Sequence, residues 1–584
     1  MENLDTANLM IINESQENLF FFRQFVECFK CPLIQTASLY PNTSNVVNLK
    51  TFYNQKYAIV DRNESYLLNQ IENISCSNYC SSDCLPSLIT SLADQGKYRL
   101  TIHQFGNCSW DIIEYGQNDW LQFLITITIY FAIICTSHFG IGRYFYSRNQ
   151  NRSNVPNDNN IITGSIENEY ELALCFQRNR YNSIDTFRGL TILLMIFVNY
   201  GAGQYHWLQH APWDGLHLAD LVFPFFIFIM GATIAVGFKN ISRRPVSKDM
   251  IKEKLIKICI RSAKLFLLGL VINSIGSSDI TTIRIPGVLQ RFALSYGIVA
   301  SVHLLSIVAN KWYLSTNLFL QKIFPLWMEY SLAIIMIFIY SYFTFYWEFD
   351  PGCPIGYIGP GGLYDNGSHP FCVGGSAHKI DELIFTSKHC YKGYFGSILY
   401  DPDPRIYNPR LWHDPEGLLG TSTSIVLTLI GFQVGHILAY NHEPWARVRK
   451  WSLLVIILAI STILNVFVYM IPINKNLWSI SFVTATGCLA TILFASFYLV
   501  IDNQNQYLYW PEGWPFNYAG QNSIFLYMGH EIVHDMLPFT LTFPTDHFRF
   551  LSGHIPFLMS NLIGTTVWLL ISIHLAKKHF FLTV

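Results

Sequence analysis

The sequence predicts a polytopic α-helical membrane protein of about eleven transmembrane helices, with a small β-rich luminal domain at its N-terminus. Three observations carry this reading: 13% charged against 51% hydrophobic residues, a series of long apolar runs, and a one-sided distribution of lysine and arginine. Soluble domains average roughly 25% charged residues. So low a charge density suits a surface that faces lipid, where exposed charge is expensive. A net charge of −1 over 584 residues provides no basic field for nucleic acid. The chain has no zinc-like Cys/His spacing and no P-loop lysine, so neither a metal nor a nucleic-acid partner is expected.

Residues 1–118 contain no spanning run. Short alternating stretches such as Tyr57-Ala-Ile-Val and Tyr98-Arg-Leu-Thr-Ile read as strands. Cys28, Cys31, Cys76, Cys80, Cys84 and Cys108 cluster here, and Cys353, Cys372 and Cys390 lie in one later loop. Cysteines grouped in loops point to disulfides and an oxidising compartment. The sequons at Asn42, Asn63, Asn73, Asn107 and Asn366 fall in the same two regions. The residues at Met1 are acidic and lack an apolar h-region, so no cleavable signal is read there. Either a signal lies outside this sequence or the first spanning helix translocates the domain.

Apolar runs close to the roughly 20 residues needed to cross a bilayer fall near 121–141, 187–203, 217–238, 263–280, 287–309, 326–347, 417–438, 452–471, 479–501, 519–537 and 557–576. With a luminal N-terminus, the cytosolic loops collect Arg143, Arg148, Arg152, Arg178 and Arg180, then Lys239 to Lys257, then Arg447, Arg449 and Lys450. The C-terminal tail adds Lys577 and Lys578, whereas the short luminal loops hold little beyond Arg284, Lys475 and Arg549. This is the positive-inside pattern, and it places the C-terminus in the cytosol. Residues 144–184 read as a polar cytosolic linker, and 348–416 as a long luminal loop with a turn at Gly359-Pro-Gly-Gly. Residues 119–584 thus form the membrane domain.

Chemistry concentrates between Asp185 and Gly231. Asp185 and Arg188 share a helical face and suit either an ion pair that fixes register or, through the guanidinium, a phosphate arriving from the cytosol. Asn199 ends that helix. His206 and His210 follow among aromatic residues that suit a membrane interface, and histidine is the side chain best matched to proton transfer near neutrality. Asp214 reads as a helix N-cap. Asp220, Arg291, Asn522, His530 and Glu531 lie within spanning runs, where ionisable and amide groups are either mutually paired or functional. Gly431 and Gly435 form a GxxxG suited to helix packing. A transporter is the competing class, but no internal repeat is evident.

Segments in order down the chain then resemble one family. They are Asp185-Thr-Phe-Arg-Gly, Phe197-Val-Asn-Tyr-Gly, His210-Ala-Pro-Trp-Asp-Gly, Ala219-Asp-Leu-Val-Phe-Pro and Arg284-Ile-Pro-Gly-Val-Leu-Gln-Arg. Pro351-Gly-Cys-Pro, Gly359-Pro-Gly-Gly, Asp414-Pro-Glu-Gly, Pro472-Ile-Asn-Lys-Asn-Leu-Trp-Ser and Gly529-His-Glu follow. From about residue 181 onward the chain resembles the heparan-α-glucosaminide N-acetyltransferase family. The resemblance implies eleven helices, a homodimer in the lysosomal membrane, and acetyl transfer from cytosolic acetyl-CoA to the terminal glucosamine of heparan sulfate in the lumen. A related acyltransferase with another amino-sugar acceptor is the alternative. The resemblance places the active-site histidine on His210 and a functional asparagine on Asn199. Arg188, Asp185, Arg291, Asn522 and His530 are the expected acetyl-CoA contacts, and membrane lipid is the remaining partner.

His210 is expected to act as general base, with Asn199 orienting the ring or holding an oxyanion, or to carry the acetyl group itself. Both routes need a neutral imidazole. At pH 5 a histidine with pKa about 6.5 is only about 3% neutral. His210 is therefore expected to be partly buried, with a lowered pKa, and close to Asn199.

Overall fold

The computed structural model describes residues 6–16, 18–25, 34–50, 55–60, 96–103, 108–115, 120–132, 181–242, 247–275, 279, 281–312, 326–391, 413–503, 510–534, 536–537 and 554–582. Seven strands come first: β1 Thr6–Asn13, β2 Leu19–Phe25, β3 Ile34–Leu39, β4 Thr43–Lys50, β5 Gln55–Val60, β6 Lys97–Ile102 and β7 Cys108–Glu114. They form two sheets, ordered β4-β1-β6-β7 and β3-β2-β5. Period-two alternation puts Ala7, Leu9 and Ile11 of β1 inside, packed with Phe21, Leu39 and Ile59 of the second sheet. Cys108 is disulfide-bonded and Asn42 is exposed. The other cysteines of this region, and Asn63, Asn73 and Asn107, lie outside the described residues.

The remainder is helical. A short helix α1 (Trp120–Ala132) precedes α2 (Asn182–Asn199), α3 (Leu218–Ser242), α4 (Lys248–Asn273), α5 (Val288–Trp312), α6 (Trp327–Phe345), α7 (Gly375–Phe385) and α8 (Leu418–Tyr440). Then come α9 (Pro444–Ile463), α10 (Ile480–Phe497), α11 (Phe516–Gln521), α12 (Ser523–Ile532) and α13 (Ile555–Lys577). Seven segments among the described residues are long and apolar enough to cross a membrane. They begin at Leu218, Val288, Trp327, Leu418, Pro444, Ile480 and Ile555. The chain is a polytopic helical membrane protein. The other four expected spans lie on α1, on α2 with its Asp185 and Arg188, on the lysine-rich α4, and on the broken pair α11–α12.

Helix α8 is the central post, buried along most of its length, whereas α9 is largely open on the outside. The approach of α8 to α3 depends on glycine. A Cβ at Gly431 would stand 2.0 Å from the Phe228 carbonyl oxygen, and one at Gly435 2.3 Å from that of Ala232. A second glycine crossing joins α2 to α11, where a Cβ on Gly189 or Gly520 would meet backbone oxygen at 1.8 Å. These contacts hold α8 tightly against α3 and α11 against α2, as small residues do in membrane bundles.

Two boundaries differ from the sequence expectation. The linker read over 144–184 ends early, because α2 starts at Asn182; the part before residue 181 lies outside the described residues. The described parts of 348–416 are a folded cap rather than an open loop. The cap contains α7 and a Cys353–Cys372 disulfide. Cys390 remains a free, buried thiol, and Asn366 is exposed on a short turn.

Candidate active site

The start of α3, the loop before it and the segment 472–479 converge on one histidine. Asp220, in the first turn of α3, is 1% exposed. Its Oδ2 accepts the backbone N–H of Ala211 (3.1 Å) and of His217 (3.0 Å), while Oδ1 lies 2.8 Å from Nδ1 of His210. A carboxylate in this setting only accepts, so Nδ1 carries the ring proton of a neutral His210 and Nε2 is its basic nitrogen. Lys475 completes the group. Its Nζ stands 2.9 Å from Nδ1, 3.3 Å from Nε2 and 3.6 Å from Asp220 Oδ1.

The His210 side chain lies among these groups yet keeps 44% of its surface accessible, more open than expected. Its pKa is held below the usual histidine value. Loss of solvation is the main cause and the Lys475 charge the second, while Asp220 and Glu416 pull the other way. Nearby His206 is pushed down to about 4, again mainly by burial.

The expected pairing of His210 with Asn199 is not what the structure shows. Asn199 Nδ2 donates instead to Nε2 of His530 (2.9 Å) and to Glu531 (3.0 Å), and His530 Nδ1 donates to the Leu526 carbonyl (3.0 Å). Sequence distance misled here: Asn199 and His210 are near in the chain, but Asn199 ends a helix that packs on α12, and Asp220 takes the role of orienting the ring. Asp214 is not a helix cap either. It accepts from Asn474 Nδ2 (3.0 Å), tying the loop before α3 to the segment that carries Lys475.

The residues expected to contact the donor divide. Arg188, held by Asp185 at 3.4 Å, lines a cavity of about 580 Å³ between α2, α3, α4, α5 and α11–α12. Lys254, Lys257 and Arg261 of α4 add three cations to the same wall. The rest is largely apolar, including Phe223, Phe226, Phe238 and Phe292. From Ile241 to Phe223 the lining follows α3 for about 27 Å at 1.5 Å per residue. Phe223 lies one turn from Asp220, so the lining ends about one helical turn short of the His210 group, whose residues are not part of it.

The other four expected contacts, Asp185, Arg291, Asn522 and His530, do not line it. Arg291 is buried with its guanidinium on the carbonyls of Pro415 (3.0 Å) and Gly417 (2.9 Å), 4.7 Å from the Trp478 ring. It braces the foot of α8. Asn522 donates to the Phe580 carbonyl (3.0 Å) and accepts the Leu582 N–H (3.2 Å), holding the segment after α13; its chain neighbours Gln521 and Ser523 line the cavity, but Asn522 itself does not. His530 belongs to the Asn199 cluster.

Sequence reasoning missed Lys475 and Arg284, which were counted only as loop charges. Arg284 makes a forked ion pair with Asp414 (2.6 Å) and Glu416 (2.5 Å) and stacks on Tyr391. Burial alone would raise the Asp414 pKa, but Arg284 outweighs it and the net shift is downward. Both residues sit in segments that carried the family resemblance, which was the available signal.

No family model matches the sequence. Over 415 residues it is 37% identical to the heparan-alpha-glucosaminide N-acetyltransferase of Mus musculus, covering 69% of this chain and 60% of that protein. Over 414 residues it is 36% identical to the protein of the same name from Homo sapiens, covering 69% and 59%. The chain thus spans about three fifths of the length of these curated relatives. A buried carboxylate holding a histidine, beside a long basic-ended cavity, suits the chemistry their name describes, and over the shared stretch the chain belongs to the heparan-alpha-glucosaminide N-acetyltransferase family.

Proposed function

We propose that this protein transfers an acetyl group from acetyl-CoA on the cytosolic side to the amine of a terminal glucosamine of heparan sulfate on the luminal side of the lysosomal membrane. The observation that carries the reading is the hydrogen bond between His210 and Asp220, one helical turn from the end of the basic-lined cavity. Acetyl-CoA is a phosphate-rich anion with a long, mostly uncharged arm. Its phosphates fit Arg188, Lys254, Lys257 and Arg261, as guanidinium and ammonium groups favour phosphate. The arm fits the aromatic wall, which directs the thioester towards Phe223.

The acceptor amine is protonated near neutral pH and is not nucleophilic until it loses that proton. That first proton leaves to solvent, and His210 Nε2 takes a second N–H proton as the free amine attacks the thioester carbonyl. The new C–N bond forms, the C–S bond breaks, and the imidazolium returns the proton to the departing thiolate. Asp220 stabilises the transient imidazolium through Nδ1. The basic end of the bundle is placed in the cytosol by the positive-inside rule, which puts the C-terminus there and the His210 end in the lumen. In the same reading residues 1–118 form a luminal, glycosylated domain and 119–584 the membrane unit, which works as a homodimer.

Radiolabelled acetyl transfer from acetyl-CoA to a panel of glucosaminides tests the assignment. Wild type acetylates a terminal glucosaminide, and His210→Ala loses the activity while keeping expression and glycosylation. Undiminished transfer by His210→Ala would overturn it.

A further inference from the structure

We infer that Lys475 is a positioning residue that keeps His210 unprotonated, so that the imidazole serves as a base in an acidic compartment. The inference deepens the acetyltransferase reading and rests on it for the role of the base.

The geometry is specific. Lys475 Nζ is 3.3 Å from Nε2, where its N–H meets the lone pair of the neutral ring until the acceptor amine takes its place, and 2.9 Å from Nδ1, which already donates to Asp220 and cannot accept from an ammonium group. A proton added to Nε2 would place a second positive charge beside the lysine. Asp220 by itself would do the reverse, because a buried carboxylate favours the imidazolium. The lysine therefore offsets the carboxylate that orients the ring, and the ring keeps its tautomer without being driven to the charged form.

The groups facing His210 are Asp220 from α3, Lys475 from the segment 472–479 and Glu416 from the foot of α8. Glu416 is already bound by Arg284. Its negative charge is largely balanced, which leaves Lys475 as the cation set against Asp220.

The lysine is also held in place. Asn474 bonds Asp214, and its backbone N–H and side-chain oxygen bond Ser479 Oγ (3.0 Å) and the Leu477 N–H (2.9 Å). On the other side the Asn476 carbonyl meets His413 Nε2 at 3.0 Å. The Gly215 N–H donates to the Ile473 carbonyl at 2.8 Å. A strap anchored at both neighbours of Lys475 brings an 18%-exposed lysine to the ring. A lysine present only for solubility would need no such anchoring.

Lys475→Met and Lys475→Arg in the full-length, detergent-solubilised chain test this with two readouts. The first is the pH profile of kcat/KM for acetyl transfer. Lys475→Met should move the acid limb up by about one pH unit, which at pH 5 is about a tenfold loss with the high-pH plateau retained. Lys475→Arg should stay with the wild type. The second is the pH midpoint for diethyl pyrocarbonate modification of His210, followed by peptide mass spectrometry, which reports ring protonation without any acetyl transfer. It should move up in Lys475→Met and stay in place in Lys475→Arg. An unmoved labelling midpoint in Lys475→Met overturns the inference. A wild type that transfers no acetyl group overturns the functional reading instead, and the labelling midpoint still decides the role of Lys475.

Discussion

His210 and Asp220 are ten residues apart in sequence and one hydrogen bond apart in space. Asp220→Asn keeps the size of the side chain but removes the charge that stabilises a protonated ring and permits the wrong tautomer. We expect kcat to fall by about a hundredfold to ten-thousandfold, with KM for acetyl-CoA little changed, as steady-state kinetics would show. A second buried carboxylate, Asp381, is 1% exposed. It accepts the Leu418 N–H at 2.8 Å through Oδ1, and its Oδ2 has no hydrogen-bond partner among the described residues. Burial pushes its pKa up from the ordinary 3.8 to about 7. The folded cap keeps this proton between about pH 4 and 7 while the unfolded chain releases it, so the residue's contribution to stability falls as pH rises through that window. Asp381→Asn keeps the acceptor for Leu418 and removes the titration. Thermal unfolding at pH 5 and pH 8 should show the variant gaining more on wild type at pH 8. In the sequence His210 stood out through the family resemblance and Asp220 only as one of several polar groups within spanning runs; their pairing needed the fold. Lys475 did not stand out, since a lone lysine in a short loop looks like any solvated charge until the fold brings it to the ring.

At the scale of elements, hydropathy located the helices because lipid and a packed bundle both demand apolar side chains. It could not locate the kink between α11 and α12, nor the cap structure of 348–391, where polar segments are ordered by Arg284, the disulfide and α7. The Gly431/Gly435 pair was readable as packing and does pack, against α3. Gly431→Val would drive a side chain into the Phe228 carbonyl and separate the helix that carries Asp220 from the central post. We expect a loss of about 1–3 kcal/mol or more, seen as a lower unfolding temperature and reduced transfer, while Gly237→Ala, whose Cβ would meet no protein atom and project into the cavity, should leave the unfolding temperature little changed.

At the scale of the whole molecule, the proposed function makes the cavity and the His210 cluster the two sides of one transfer. Cations gather at the end of α4 that the positive-inside rule assigns to the cytosol, and His210, the proposed base, sits by the opposite end of α3. Loop charge supplied the sidedness in the sequence. The path between the sides needed the folded bundle, because its lining comes from five separate helical regions, each of which reads as an ordinary apolar span. Reconstitution into sealed vesicles tests this arrangement most directly, with labelled acetyl-CoA added to the outside of vesicles whose basic end faces outward and a glucosaminide trapped within. Acetylated glucosaminide should accumulate inside with wild type and not with His210→Ala. Transfer only when donor and acceptor share one side, or equal accumulation with His210→Ala, would contradict the account.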